Sequence, residues 1–344
     1  MTLADLESLE SFALLGPGYG CDGFLLLRGL ADTRGPSASP RLVYAGFETP
    51  GSQARVLAPS DVARFDPDFG NVPLQDVCAA FDEDGIRESI QTIRQSIAAG
   101  DVYQVCLTHR VPLTADSGAP LSGATLLSAI CAGGVPPFAA WVRLPGGPEF
   151  VSASPERFFD TAASDVHAEP MKGTARLSDQ AVLEGSAKDR CELAMITDLV
   201  RHDLAAVCMP RSIRVPCERR IVRLPYALQA VSDVEGTLRD GVGPLEVLDA
   251  LNPGGSVVGA PKEAARAMIR RLESTPRGPY CGALGLWQGA RSAFGLLIRT
   301  ATRTPTGWTY GVGSGIVYDS DAAREIEEFR TKLGALGCAR RPCR

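Results

Sequence analysis

No stretch of this sequence is apolar for long enough to cross a membrane, and the N-terminal MTLADLESLESF is acidic where a secretory leader needs cations. A cytoplasmic protein with no membrane partner is the expectation. Long runs of like charge are also missing. A formal net charge of -5 is spread over 344 residues, leaving none of the basic footprint that nucleic acid demands. Ten cysteines occur, but none forms a Cys-x-x-Cys pair or a Cys/His cluster with zinc-ligand spacing, so reduced and mostly buried thiols are expected. The only histidines are His109, His167 and His202, and none stands in an amidotransferase context. The early GYGCDG lacks the continuation of a nucleophile elbow, so Cys21 reads as structural. Internal repeats and long Pro/Gly/Ser linkers are absent as well. With 45% hydrophobic and 22% charged residues, the chain can bury a sizeable core, and a small molecule is the favoured partner.

Mixed α and β patterns follow one another along the chain. The segments 23–29 (GFLLLRG) and 42–47 (LVYAGF) read as strands, and the turn-rich RGPSASPR between them predicts a hairpin. Ile86, Ile90, Ile93 and Ile97 recur at helical spacing, with Gly100 placed as a C-cap. DVYQVCLTHRVPL then reads as a strand. A second hairpin pairs AAWVRL with EFVSAS across PGGP, KEAARAMIRRLES is a helix behind Pro261, and DAAREIEEFRTKLGAL is a C-terminal helix. One α/β domain with an N-terminal extension results.

Four segments carry chemistry. In AKDRCELAMITDLVRHDL, Leu193, Ile196, Leu199 and Val200 make an apolar stripe while Asp189 and Glu192 share another face, which a solvated acidic face explains equally well. On the last helix Glu325, Glu328 and Lys332 lie opposite Ile326, Phe329 and Leu333. A surface Glu328–Lys332 pair accounts for this too, but the preceding GVGSGIV, read as a loop with three glycines, would let a ligand approach closely. Carboxylates beside such a pocket suit magnesium, which takes one or two protein carboxylates and a substrate oxygen. NPGGSVVGAPK ends where a helix begins, as an anion site or as a plain turn and cap. Arg299 sits in the apolar, strand-like LLIRT, either in a structural salt bridge or as a clamp for a substrate carboxylate.

Taken in order, SASPERFF (152–159), PMKGT (170–174), AKDRCELAMITDLVRHDL (187–204), NPGGSVVGAPK (252–262), RGPYCGALG (277–285), IRT (298–300) and the GVGSGIV…EIEE…K terminus resemble the chorismate-utilising enzymes. These are the component I subunits of anthranilate and aminodeoxychorismate synthases, and the isochorismate and salicylate synthases. The likeness runs almost unbroken from Ile86 to Leu333 and is strongest to aminodeoxychorismate synthase component I. It implies an α/β (α+β) fold of two large antiparallel sheets packed orthogonally with flanking helices, the fold of anthranilate synthase component I. Residues 1–85 would be a shortened N-terminal region of that fold, and 86–340 the chorismate-binding catalytic region. By the same resemblance Glu192 and Glu328 would hold Mg2+, with Asp189 and Glu325 nearby. Gln104, Gly173, Thr174, Ser256, Tyr280, Arg299, Gly313, Gly315 and Lys332 would bind substrate. Glu156 would be the general acid that protonates the departing C4 hydroxyl, which requires a raised pKa.

Two positions choose the nucleophile within the family. Members that add water at C2 carry a lysine in the strand matching DVYQV, where this chain has Gln104. Anthranilate synthases usually read PIAGT where aminodeoxychorismate synthases read PIKGT, and here the residue is Lys172. Kept partly neutral by burial or neighbouring cations, Lys172 would attack C2, and ammonia from a separate glutamine amidotransferase subunit would then enter at C4. The product would be 4-amino-4-deoxychorismate, a source of p-aminobenzoate and folate. A purely electrostatic Lys172 is the alternative. An anthranilate or 2-amino-2-deoxyisochorismate synthase component, or a catalytically silent chorismate-binding subunit, stand as the other readings. Three residues depart from the family pattern: Gln229 for its usual histidine, His202 in VRHD for VRND, and Val258 for a threonine.

Overall fold

A computed structural model describes residues 1–35, 37–69, 77–79, 82–115, 121–224 and 227–333. The end of the expected catalytic region, to residue 340, lies outside the described residues. Two antiparallel sheets of ten strands each dominate, nine in a row in each, with Val77–Ala79 added beside Gln104–Ala115 in the first and Arg214–Arg223 beside Leu228–Thr237 in the second. The first runs, edge to edge, through Gly259–Ala260, Gln104–Ala115, Gly307–Ile316, Thr300–Thr304, Glu149–Ser154, Phe138–Arg143, Phe12–Leu15, Phe24–Arg28 and Asp61–Phe65. Along the second come Met171–Ala175, Leu228–Thr237, Asp165–Ala168, Arg157–Ala162, Arg291–Leu296, Ala283–Gln288, Arg41–Ala45, Arg55–Ala58 and Ala31–Asp32. The sheets share one core: Phe138 and Phe150 of the first pack with Leu42, Leu57 and Leu284 of the second. Alternating or continuous apolar runs on the facing strands make that burial possible. Among the described residues no helix is long and apolar enough to cross a membrane.

The residues before the isoleucine helix are integral to both sheets, because strands from 12–28 enter the first and strands from 41–58 enter the second. This overturns the first hairpin. Phe24–Arg28 pairs with Phe12–Leu15 and Asp61–Phe65, whereas Arg41–Ala45 pairs with Ala283–Gln288 in the other sheet. Both segments are buried strands, and local turn residues do not tell which neighbour a strand will find. The second hairpin forms as expected, with Glu149 opposite Arg143. The isoleucine helix spans Glu83–Ala98, is capped by the Asp82 carboxylate on the Gly85 N–H at 3.0 Å, and is followed by Gly100 at φ 85°. Its Ile86, Ile90 and Ile93 are buried.

Helices flank the sheets and aim residues at the gap between them. Ala187–Ala205 starts behind Ser186, whose hydroxyl accepts from the Asp189 N–H at 3.2 Å, and buries Leu193 and Ile196. The last helix, Ala322–Leu333, buries Ile326, Phe329 and Leu333, as its spacing predicts. GVGSGIV is not a loop: Gly307–Ile316 is a strand paired along its length with Gln104–Ala115. The three glycines hid the strand pattern, and here they leave room for neighbours.

Candidate active site

A cavity of about 790 Å³ opens between the two sheets. Sheet one supplies the glycine strand, and sheet two supplies the lysine strand Met171–Ala175. The lysine strand is an edge strand with one residue too many: Met171 faces Val231 and Thr174 faces Gln229, so three steps on one side oppose two on the other. That bulge turns Lys172 out of the ladder, and Gly173 takes the φ of 90° it needs. A side chain at Gly173 would also strike Asp189 Cβ at 2.9 Å. The bulge and the start of the Ala187–Ala205 helix are thus fitted to each other.

Lys172 Nζ lies 3.1 Å from Glu192 Oε2. Burial pulls its pKa down, but the Glu192 carboxylate, aided by Cys106 and Glu328, outweighs burial and holds the ammonium above its ordinary value. The expectation of a partly neutral amine is therefore not met by the protein alone. Glu192 also faces Lys188 at 3.7 Å. Glu328 lines the cavity from the last helix. Burial would raise its carboxyl, yet the Lys332 ammonium at 2.7 Å wins and holds it below the usual range. Lys332 donates to the Gly313 carbonyl as well.

Glu156 behaves differently. It is buried, with the Ser256 hydroxyl at 3.4 Å, and burial pushes its carboxyl up to about 8 against smaller opposing pulls from Ser256, Lys172 and Arg299. A carboxyl protonated near neutral pH can donate a proton to a leaving oxygen, as the sequence led us to expect.

On the opposite wall glycine is needed for contact. A methyl at Gly315 would stand 2.2 Å from Gln104 Nε2 and 3.2 Å from Lys172 Nζ, and one at Gly311 would enter the Tyr280 ring at 2.3 Å. Gln104 is wholly buried behind Gly315, and neither atom of its amide has a hydrogen-bond partner among the described residues. Arg299 is not inside a strand. Arg291–Leu296 ends before it and Thr300–Thr304 begins after it, and its own φ of 52° is rare for a side-chain-bearing residue. The left-handed kink brings it into the cavity wall.

Of the anticipated residues, Lys172, Gly173, Thr174, Asp189, Glu192, Glu156, Ser256, Tyr280, Arg299, Gly313, Gly315, Glu328 and Lys332 line this one cavity. Gln104 and Glu325 do not: Gln104 is buried behind Gly315, and Glu325 is buried and accepts from the Ser320 hydroxyl at 2.8 Å. His202 and Val258 are likewise outside the wall, whereas Gln229 is in it. With its amide oriented to satisfy its neighbours, Gln229 accepts from Arg299 Nη2 at 3.2 Å and donates to the Gly173 carbonyl at 3.2 Å. Sequence reasoning noted Gln229 only as a departure. It missed Arg277, which is buried, bonds Glu273 at 2.6 and 2.8 Å, and donates to the Val257 and Cys106 carbonyls at 2.6 and 2.7 Å. Arg277 ties the Ser256 turn to sheet one, and a lone arginine in RGPY was the available signal. Cys21 donates to the Gly16 carbonyl at 3.2 Å, and burial raises its thiol, in keeping with a structural role.

The model of the family described as chorismate binding enzyme matches residues 42–337, and the chain belongs to that family. Among curated relatives, it is 33% identical over 328 residues to anthranilate synthase component 1 1 of Haloarcula marismortui, covering 90% of this chain and 66% of the relative. To aminodeoxychorismate synthase of Streptomyces pristinaespiralis it is 36% identical over 329 residues, covering 90% of this chain and 44% of the relative. To aminodeoxychorismate synthase component 1 of Klebsiella aerogenes the figures are 34% over 258 residues, 72% and 56%. The chain thus spans less than two thirds of the length of these relatives. Two solved structures share the fold. MenF, the menaquinone-specific isochorismate synthase of Escherichia coli, has a TM-score of 0.80 at 19% identity over 98% of this chain and 90% of its own. Anthranilate synthase component I of Streptococcus pneumoniae gives 0.68 at 25% identity over 78% and 61%.

Proposed function

We propose that this chain is the chorismate-aminating component of an aminodeoxychorismate synthase, making 4-amino-4-deoxychorismate from chorismate and ammonia. Lys172 carries the reading, because the bulge presents its amine in the cavity that Glu156 and Arg299 also line. Chorismate is a dianion, and Arg299, Tyr280 and Lys332 are the groups to receive its carboxylates. Glu192 and Glu328, carboxylates from two helices, face one cavity and are the oxygen donors a hard divalent cation would take in exchange for their present partners Lys172, Lys188 and Lys332. Glu192 and Glu328 would hold magnesium, whose charge would neutralise a substrate carboxylate and compete with Lys172 for Glu192.

Lys172, after giving one ammonium proton to water, forms a bond to C2 through its free amine while the ring double bonds shift toward C4 and the C4–O bond breaks. Glu156 gives its proton to that oxygen, and water leaves. Ammonia then bonds to C4, the double bonds return, and the C2–nitrogen bond to Lys172 breaks, with the enolpyruvyl ether intact. Gln104 in place of a lysine removes the base that the water-adding members carry at that position, and its buried amide stands behind Gly315 of the cavity wall. A glutamine amidotransferase subunit would supply the ammonia.

One assay decides. The protein is incubated with chorismate, magnesium and ammonium while pyruvate and anthranilate fluorescence are followed, and p-aminobenzoate is measured after addition of an aminodeoxychorismate lyase. We expect p-aminobenzoate only with the lyase. Anthranilate without lyase, or unconsumed chorismate, would sink the reading.

A further inference from the structure

Six charged side chains on the second sheet close on themselves. Arg157 Nε is 2.5 Å from Glu169 Oε2, and Arg220 holds the other oxygen of Glu169. Arg220 reaches Asp233 through Nε and Nη2 at 2.9 and 3.0 Å. Asp233 Oδ1 is 3.2 Å from His167 Nε2, His167 Nδ1 is 3.6 Å from Asp160 Oδ2, and Asp160 returns to Arg157. Charges alternate around this ring when His167 is protonated. Ligand atoms of His167, Glu169 and Asp233 lie within 4.8 Å of one another, but the two carboxylates already face guanidiniums, so the group is an ion-pair network rather than a cation site.

Its place in the chain gives it a consequence. Arg157 directly follows Glu156, and Glu169 stands three residues before Lys172. The ladder between Arg157–Ala162 and Asp165–Ala168 has its last pair, on the site's side, at Asp160 and His167. Beyond it no ladder pair among the described residues joins the acid's strand to the lysine strand. Both strands are irregular there, with register shifts between Arg157 and Phe159 and between Met171 and Thr174. Bulges re-aim side chains and give up ladder bonds, so something else must set the spacing. Glu156 and Met171, the first residue of the lysine strand, line the same cavity, which makes the acid's surroundings depend on where that strand stands.

We propose that Arg157 and Glu169 are positioning residues whose ion pair, braced by the ring, holds Glu156 against the Lys172 strand where the sheet ladder does not. The inference deepens the functional reading above and rests on it for what Glu156 and Lys172 do.

The test is read first without substrate. The Tm difference between the wild-type protein and Glu156→Gln is followed across pH, and its midpoint reports Glu156 in its site. Lys172, Arg299 and the Ser256 hydroxyl act on that carboxyl and stay unaltered throughout. Adding Glu169→Gln to both proteins is expected to lower the midpoint by about one pH unit, as Glu156 gains water. Arg157→Lys keeps the charge but loses the fork, and should move it less in the same direction. It carries the measurement alone if Glu169→Gln does not fold. Glu235→Gln, which breaks an exposed pair with Arg214 at 3.6 Å on the same sheet, should leave the midpoint in place. A midpoint unmoved by both ring variants overturns the proposal. Turnover judges the function separately: kcat should fall about tenfold in Glu169→Gln while the chorismate KM stays within about twofold. A moved midpoint in a protein that leaves chorismate untouched would remove the functional reading and keep the positioning tie.

Discussion

Glu156 and Arg157 are neighbours in sequence and opposites in setting. Glu156 is buried among groups too weak to offset lost hydration, and its carboxyl rises to about 8. One residue on, Arg157 enters a ring in which partners outweigh burial: the Asp160 carboxyl is held below its usual range, as is that of Asp233. Both regions use carboxylates, cations and partial burial. What differs is compensation, and it separates a group kept ready to give a proton from groups spent on holding strands together.

That contrast can be broken from either side, since cavity residues should lose most of the activity with little loss of stability, whereas ring residues should lose stability and only about tenfold in kcat. The largest effect is expected from Lys172→Ala, which should cut C4 amination by at least about a thousandfold while chorismate binding, followed by calorimetry, is mostly kept. Unaltered turnover would exclude a covalent role. Next, Glu156→Gln should lower kcat by about a hundredfold or more. Because its folded pKa is raised, Glu156 favours the fold fully below its ordinary pKa of 4.5, and this contribution is lost as pH rises toward about 8. Glu156→Gln should therefore melt higher than wild type at pH 8, with the advantage gone at pH 4.5, and a pH-independent difference would contradict the buried-acid assignment. Glu192→Gln should weaken magnesium binding by about tenfold or more, checked by titration calorimetry with the metal alone.

The smallest effect belongs to the ring. The Asp160 carboxylate raises the pKa of His167 against burial, and Asp233 adds to the rise. The histidine thus stabilises the fold fully below its ordinary 6.5 and loses that contribution as pH climbs through the raised value. His167→Gln should lower Tm by about 1 to 3 °C at pH 5.5 and by less at pH 9. Equal losses at both would show that its charge is not what matters.

Much of the fold was legible locally. The isoleucine, KEAARAMIRRL and C-terminal helices form where apolar spacing put them, because one buried stripe suffices to define a helix. Strand partners were not legible: 23–29 and 42–47 look like a hairpin and end in different sheets, since pairing is settled by a core assembled from distant segments. Glycine misled as well, reading as loop in GVGSGIV where it is a strand thinned for Tyr280 and Gln104.

The candidate site divides in the same way. Lys172, Glu156, Glu192 and Glu328 could be named from their motifs, whereas Glu325, equally plausible by spacing, turns away to Ser320. The contacts of Gln229 and of the Arg157–Glu169 pair were invisible, because they join residues 70 and 12 positions apart. Side-chain chemistry and helix periodicity are written in the order of residues, and the sequence determined those. Tertiary structure alone decided which carboxylate is left without compensation, because burial and partners at a few ångströms, not residue type, set whether a charge is worth keeping.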